Sequence, residues 1–162
     1  MNFRLDQVVD WRAVFLAGTI SALVFLLANL ILNTLYLGSF WLTWRILASV
    51  ALGADVIPPL EGGQGRILLT ALFVHIPLSV LFTALIAIVV HEYGIWASAI
   101  AGGLLGAAIY LINFYGLAFL FPWLTSLTSW LMLASHVAFG FVAGGIYEIL
   151  ERDIYRMESV DA

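Results

Sequence analysis

The sequence predicts an all-α, polytopic membrane bundle of four transmembrane helices with one short interfacial or re-entrant helix. Three observations predict this fold class: 64% of the 162 residues are hydrophobic, only 10% are charged, and the apolar residues fall into four long runs. Soluble domains are about half apolar and about a quarter charged, so a surface with so few charges would not suit water on all sides. The length favours a single membrane domain over residues 1–162.

Charge and cysteine content exclude several classes of function. Ten acidic residues against six arginines, with no lysine, give a net charge of −4, so we expect no nucleic-acid partner. The chain has no cysteine, which excludes thiolate metal sites, thiol catalysis and disulfides. Motifs of phosphate-binding loops and metalloproteases are missing as well. We therefore expect a protein that is not an enzyme, has no metal site and needs no cofactor.

The first element is a predicted transmembrane helix over residues 13–37. About 20 helical residues cross a hydrocarbon core of roughly 30 Å, and this run is long enough. It is also longer than the apolar part of a signal peptide, and residues 36–40 would be a poor cleavage site. We therefore expect the segment to remain as a membrane anchor.

The second element is a short helix over residues 40–52. The segment is rich in aromatic residues, with Trp41 and Trp44, and Arg45 is its only charge. It is too short to span a bilayer, so we expect it to lie in the interface or dip into it. In that position Arg45 would extend to the lipid head groups.

Three further spans follow, at residues 66–90, 96–119 and 129–150, and a short polar tail completes the chain at residues 151–162. We expect the last helix to continue briefly into water. At its end Glu148 and Arg152 have the spacing of an i, i+4 ion pair. The alternative for Glu148 is a proton relay toward the bundle interior.

The arginines predict the orientation of the four spans. An even number of spans places both termini on one side, which would carry Arg4, Arg12, Arg152 and Arg156, whereas the other side carries Arg45 and Arg66. Because positive charge is retained in the cytoplasm, we expect both termini there.

Each predicted span contains one strongly polar residue at a similar depth. These residues are Asn29, His75, Asn113 and His136. Counted from the predicted cytoplasmic ends at 1.5 Å per residue, their depths are all about 21 to 26 Å. We expect them to form one polar layer, nearer the outer surface.

Small residues recur at a spacing that suits close helix packing. The positions are Gly18, Gly102, Gly106, Gly140 and Gly144. In lipid, helices associate through close contacts that small side chains allow, within one chain or between copies of it.

The same pattern indicates an internal repeat. A shift of 84 residues maps Gly18 and Asn29 onto Gly102 and Asn113, and each half continues with a histidine followed four residues later by a small residue. This favours a parallel duplication of a two-helix hairpin. Chance recurrence of small residues is the alternative.

The polar layer leaves three functions open. Hydrogen bonds between helices would make the protein a structural or accessory subunit, beside a membrane-protein partner or a second copy. Alternatively, His75 and His136 could bind a b-type haem or a quinone. A small-solute or proton carrier is the third hypothesis. We expect the first.

Two runs and one histidine resemble a known class of proteins. Residues 11–19 (WRAVFLAGT), the mid-span His75 and residues 136–148 (HVAFGFVAGGIYE) resemble small bacterial four-helix inner-membrane proteins of unknown function. The resemblance implies the four-helix fold and a bacterial inner membrane, and it implies no activity. The aromatic helix of the first connection is more elaborate than this class leads us to expect.

Overall fold

The computed structural model of the protein describes residues 2–59, 62–91, 93–152 and 155–160. Five α-helices and two strands lie in these ranges. The helices are α1 (Trp11–Leu37), α2 (Trp41–Leu52), α3 (Gln64–Val90), α4 (Ile95–Leu111) and α5 (Trp130–Leu150), and the strands are β1 (Asn2–Gln7) and β2 (Tyr155–Val160). A π-helical segment, Ile112–Gly116, continues α4, and 3₁₀ turns occupy Ala54–Val56 and Pro122–Leu127.

Four of these helices are long and apolar enough to cross a membrane, which confirms that part of the sequence prediction. They are α1, α3, α5 and the combined helix Ile95–Gly116. The combined helix Ile95–Gly116 is shorter than the predicted span at residues 96–119, because the chain turns at residues 117–120. By contrast α3 is continuous across Pro77, although proline cannot donate a backbone hydrogen bond there.

The helix ends follow from local sequence. Asp10 caps α1: its Oδ1 accepts the backbone N–H groups of Arg12 and Ala13 at 2.9 and 3.2 Å. Gly38 ends the same helix in the left-handed conformation, with φ of 63°, which a residue without a Cβ adopts readily. Ser129 caps α5 by accepting the backbone N–H of Met132. Short polar residues and glycine thus set where the long apolar runs begin and end.

The four long helices form an open bundle. α5 packs along both α4 and α1, and α1 also packs along α3. α3 and α4 make few contacts with each other, although they are neighbours in sequence. A gap therefore remains between α3 and α4. We call the end of the bundle with β1 and β2 the terminal end, and the end with α2 and Pro122–Leu127 the far end.

Glycines bring α4 and α5 into backbone contact. A Cβ built on Gly102 would clash with the carbonyl oxygen of Gly140, and one built on Gly106 would clash with the carbonyl oxygen of His136. The small-residue positions of this pair therefore act within one chain. Gly144 belongs to the same interface, facing the carbonyl oxygen of Ser98.

The two halves of the chain use equivalent positions for their contacts. Gly18 of α1 packs against α3, where its added Cβ would lie 2.8 Å from the Cα of Val80. The equivalent residue by the 84-residue shift, Gly102, packs against α5. Gly18 and Gly102 thus both lie where two helices approach closely, and the duplication of the hairpin stays a prediction.

The terminal strands differ from the expected polar tail. α5 ends at Leu150, and β2 pairs antiparallel with β1, from Asn2 opposite Val160 to Gln7 opposite Tyr155. The expected brief continuation of the last helix is therefore wrong for residues 151–152, which are not helical, and for residues 155–158, which belong to β2. Backbone pairing with the N-terminal segment gives this part of the chain hydrogen-bond partners that sequence periodicity does not reveal. Beside the strands, the N–H of Arg152 donates to Asp10 Oδ2 at 3.3 Å, which joins the start of α1 to the end of α5.

Candidate functional site

A cavity of about 420 Å³ lies inside the far half of the bundle. Its walls come from α1, α2, α3, α5, the end of α4 with its π-helical segment, and the connection before α5. Most of the lining is apolar. Six residues with polar side chains line it as well: Asn29, Thr43, His75, Ser79, Asn113 and His136.

The structure brings the four residues of the predicted polar layer to this one cavity. Asn29 comes from α1, His75 from α3 and His136 from α5, and all three are buried. Asn113 is partly buried and lies in the π-helical segment after α4. π-helical turns often occur at functional sites because they re-aim side chains within a helix. Four separate helices thus direct polar groups into one apolar space.

Only one of the four forms a hydrogen bond of ordinary length to another helix. The Nε2 of His75 lies 2.9 Å from the carbonyl oxygen of Ala22 on α1. The Nδ1 of His136 instead lies 2.8 Å from the carbonyl oxygen of Met132, one turn earlier on its own helix. Asn29 likewise donates within its own helix, from Nδ2 to the carbonyl oxygen of Phe25 at 2.9 Å. Bonds of this kind satisfy the side chain without joining helices.

Asn113 and His136 form the remaining polar contact. The Nδ2 of Asn113 lies 3.5 Å from the Nε2 of His136, longer than an ordinary hydrogen bond of 2.7 to 3.2 Å. The amide therefore holds the imidazole only weakly.

One aromatic ring contacts both histidines. The ring of Phe25 lies 5.3 Å from that of His75 and 5.1 Å from that of His136, centroid to centroid. Tyr110 and Phe114 pack on the other sides of His136, at 5.6 and 5.8 Å. The Nε2 of His75 is bonded to the carbonyl of Ala22, so ligation of a haem iron by this nitrogen would require that bond to break.

α2 and the Pro122–Leu127 turn close the far end of the cavity. Asn33 of α1 donates to Thr43 Oγ1 at 2.9 Å, and Trp123 Nε1 donates to Ser49 Oγ at 3.1 Å. These two bonds tie α2 to α1 on one side and to the last connection on the other. α2 is therefore a packed cover of the site.

The residues of α2 expected at the lipid interface are more buried than the sequence predicts. Trp44 and Arg45 are each 8% exposed, and Trp41 is partly buried against α3. The Nε of Arg45 is buried without a hydrogen-bond partner, and little of this side chain reaches the outside of the bundle. Packing of α2 on α3 removes the surface that an isolated interfacial helix would expose.

The cavity opens sideways between α3 and α4. Leu78 and Leu81 of α3 and Ile112 after α4 line it, and they are 37%, 54% and 53% exposed on the outside of the bundle. The opening follows from the sparse contact between those two helices. A molecule can therefore reach the polar layer from the side of the bundle.

Glu148 lies at the terminal end, far from this cavity, and does not form the expected ion pair. Its Oε1 accepts the N–H of Gly94 at 2.8 Å and its Oε2 accepts the hydroxyl of Ser98 at 2.9 Å, so it caps the start of α4. A carboxylate is favourable there because the first N–H groups of a helix are unpaired. Arg152 is exposed, and no ion pair joins it to Glu148.

Next to it, Tyr147 and Glu151 form a second polar contact. The Tyr147 hydroxyl donates to Glu151 Oε1 at 2.7 Å and accepts the N–H of Asp10 at 3.2 Å. Burial raises the pKa of the Glu151 carboxyl, and the nearby charge of Glu148 acts in the same direction. At this end of the bundle, the hydrogen bonds of Tyr147, Glu148 and Glu151 join α1, α4 and α5.

Sequence reasoning missed Phe25 and Thr43 as residues of the site. Phe25 lies one turn before Asn29 on the same face of α1, which was the available signal. Thr43 belongs to the cover helix, whose docking on the bundle depends on contacts between distant segments.

Within the described ranges, no three histidine, cysteine, aspartate or glutamate side chains gather as metal ligands. Comparison of the whole chain with protein-family models, with curated proteins and with solved structures gives no match.

Proposed function

We propose that the protein is an integral membrane protein that binds a lipophilic small molecule in its far-half cavity, without catalysing a reaction on it. The observation that carries the proposal is the convergence of four polar side chains on one apolar cavity. Small-molecule sites are typically apolar pockets of about 300 to 1,000 Å³ with a few placed polar groups. The cavity volume of about 420 Å³ falls in that range.

The surface of the bundle supports residence in a bilayer. Large apolar side chains on the outside of α3 and α4 are strongly exposed, with Phe73 at 80% and Leu104 at 71%. Four arginines toward the terminal end against two toward the far end favour cytoplasmic termini, and the resemblance noted above favours a bacterial inner membrane.

In that setting the ligand would enter from the lipid. The mouth between α3 and α4 is lined by Leu78, Leu81 and Ile112, so it faces the acyl chains rather than water. A molecule with an alkyl or isoprenoid tail would keep the tail in the mouth and place its head group at the polar layer. Phenols, hydroquinones and quinones with such tails belong to this class, whereas a b-type haem would have to displace the Phe25 ring that contacts both histidines.

The hydrogen bonds favour binding over a purely structural layer. Asn29 and His136 bond within their own helices, so they contribute little to holding helices together. The bond from His75 to Ala22 does join two helices and is the observation that supports the second candidate, an accessory or structural subunit with a membrane partner or a second copy. For a solute or proton carrier, no described chain of hydrogen bonds joins the polar layer to the polar contacts of Tyr147 and Glu148 at the terminal end.

Binding of two decyl-chain probes in nanodiscs tests the proposal. Radiolabelled 4-decylphenol and its methyl ether, 4-decylanisole, are measured against empty nanodiscs to subtract partitioning into lipid. We expect saturable binding of at least one probe, with one molecule per chain.

Two tryptophan substitutions on α3 make the test specific to the mouth. Leu81→Trp narrows the mouth and should weaken binding by about tenfold or more, the equivalent of 1.4 kcal/mol. Leu85→Trp is the matched control, because Leu85 is similarly exposed, 51% against 54%, and does not line the cavity. No saturable binding of either probe, or equal effects of both substitutions, would overturn the proposal.

A further inference from the structure

The backbone carbonyls around the cavity fix which imidazole nitrogens carry protons. A carbonyl oxygen only accepts, so the Nε2 of His75, at 2.9 Å from the carbonyl of Ala22, is the nitrogen that donates. The same argument assigns the proton of His136 to Nδ1, at 2.8 Å from the carbonyl of Met132. Each ring is therefore held as one tautomer by its own backbone partner.

Both rings are neutral in this arrangement. They are buried among apolar side chains, and the cavity lining includes no carboxylate that would stabilise an imidazolium. Burying a charge without a partner is costly. A neutral imidazole has one N–H group, so the Nδ1 of His75 and the Nε2 of His136 are left with lone pairs.

The cavity therefore offers its ligand two imidazole acceptors. The acceptor on His136 is engaged only by the amide of Asn113, at 3.5 Å, and a ligand donor at normal distance would compete with that contact. A head group whose oxygen only accepts would meet a lone pair at both rings. A hydroxyl would donate to either ring.

We infer that the ligand is a lipophilic molecule whose head group donates a hydrogen bond, such as a phenol, a hydroquinone or a long-chain alcohol, and that ketones, quinones and ethers bind less well. The inference rests on the proposed binding function and names the ligand class for the same cavity. Asn113 and Ser79 provide donors for a second oxygen on the head group, so a hydroquinone or a methoxyphenol also fits the polar layer.

The two decyl probes test this directly, because 4-decylphenol and 4-decylanisole differ only in the methyl group that replaces the hydroxyl proton of the head group. After correction for partitioning into empty nanodiscs, we expect the phenol to bind about tenfold tighter than the ether, since the ether leaves the imidazole lone pair unpaired in an apolar site. Equal binding, or tighter binding of the ether, would overturn the inference while leaving the binding function intact. Absence of binding by both probes would overturn the binding function itself.

A substitution at His136 locates the acceptor. His136→Phe keeps a ring and removes both nitrogens. The only ordinary hydrogen bond of the His136 side chain is within its own helix, so the bundle should tolerate the change. We expect the preference for the phenol to fall, because one of the two imidazole acceptors is lost and only the Nδ1 of His75 remains. An undiminished preference would contradict the assignment of this acceptor. The ratio measured on the wild-type protein decides the ligand class even if the variant does not fold.

Discussion

His75 and His136 line the same cavity but are held in different ways. His75 bonds across to α1, whereas His136 bonds back to its own helix at Met132. Interhelical hydrogen bonds of this kind contribute about 0.6 kcal/mol on average and up to about 1.7 kcal/mol in membrane proteins. The two residues should therefore differ in their importance for stability.

We expect His75→Ala to lower the free energy of unfolding by about 1 kcal/mol more than His136→Ala does. Both substitutions remove the same atoms beside the same cavity, and His136 also loses ring contacts with Tyr110 and Phe114, so a greater loss at His75 is attributable to the bond to Ala22. Reversible unfolding of the purified protein in mixed micelles measures the difference. Equal losses of stability would show that this bond does not hold α1 and α3 together.

At the scale of single residues, the sequence predicted which polar residues lie together but not the groups to which they hydrogen-bond. Depth counting selected Asn29, His75, Asn113 and His136, and the structure places them around one cavity. The partner of Glu148 could not be predicted from its own helix, because the carboxylate bonds to Gly94 and Ser98 at the start of α4. Local spacing describes a single helix, and these contacts are formed between helices.

At the scale of elements, the close packing of α4 against α5 depends on glycine. Gly102→Ala should destabilise the protein by about 1 to 3 kcal/mol, the usual cost of overpacking, because its Cβ would meet the backbone of Gly140. Gly103→Ala is the matched control: the nearest atoms to its Cβ are at 3.7 Å. Thermal unfolding in detergent should separate the two variants, and equal melting temperatures would contradict the close approach of the two backbones.

α2 is expected to be an ordered cover of the cavity rather than a loose interfacial segment. It is held by packing on α3 and by the bonds of Thr43 and Ser49 to neighbouring elements. Amide hydrogen exchange in nanodiscs should be slow over Trp41–Leu52. Exchange of this whole segment at the rate of an unstructured chain would show that the cover is not formed.

Hydrophobic periodicity and segment length were sufficient to predict the helices, but not the strand pair or the π-helical turn. Long apolar runs predicted four helices and a short fifth, because each helix satisfies its own backbone groups. The pairing of β1 with β2 was not predicted, since it joins the two ends of the chain. The π-helical turn at Ile112–Gly116 was missed as well, because no residue type specifies it.

The whole molecule is expected to sit with both termini in the cytoplasm. The native chain has no cysteine, so single cysteines at Ser159 and at Gln64 report on the two ends of the bundle without background. An impermeant thiol reagent added to intact cells should label the cysteine at Gln64 and not the one at Ser159. The reverse pattern would show that the protein has the opposite orientation.

The position of a bound ligand is the most direct test of the claim that the far-half cavity binds a lipophilic small molecule. A 4-decylphenol that carries a photoactivatable diazirine on its chain is cross-linked to the protein in nanodiscs, and the labelled residues are identified by peptide mass spectrometry. We predict labels on the mouth and walls of the cavity, at Leu78, Leu81 and Ile112, that are lost with an excess of unlabelled probe. Labels that persist under competition and concentrate on Leu69 and Phe73, the outward residues of α3 that do not line the cavity, would contradict the claim.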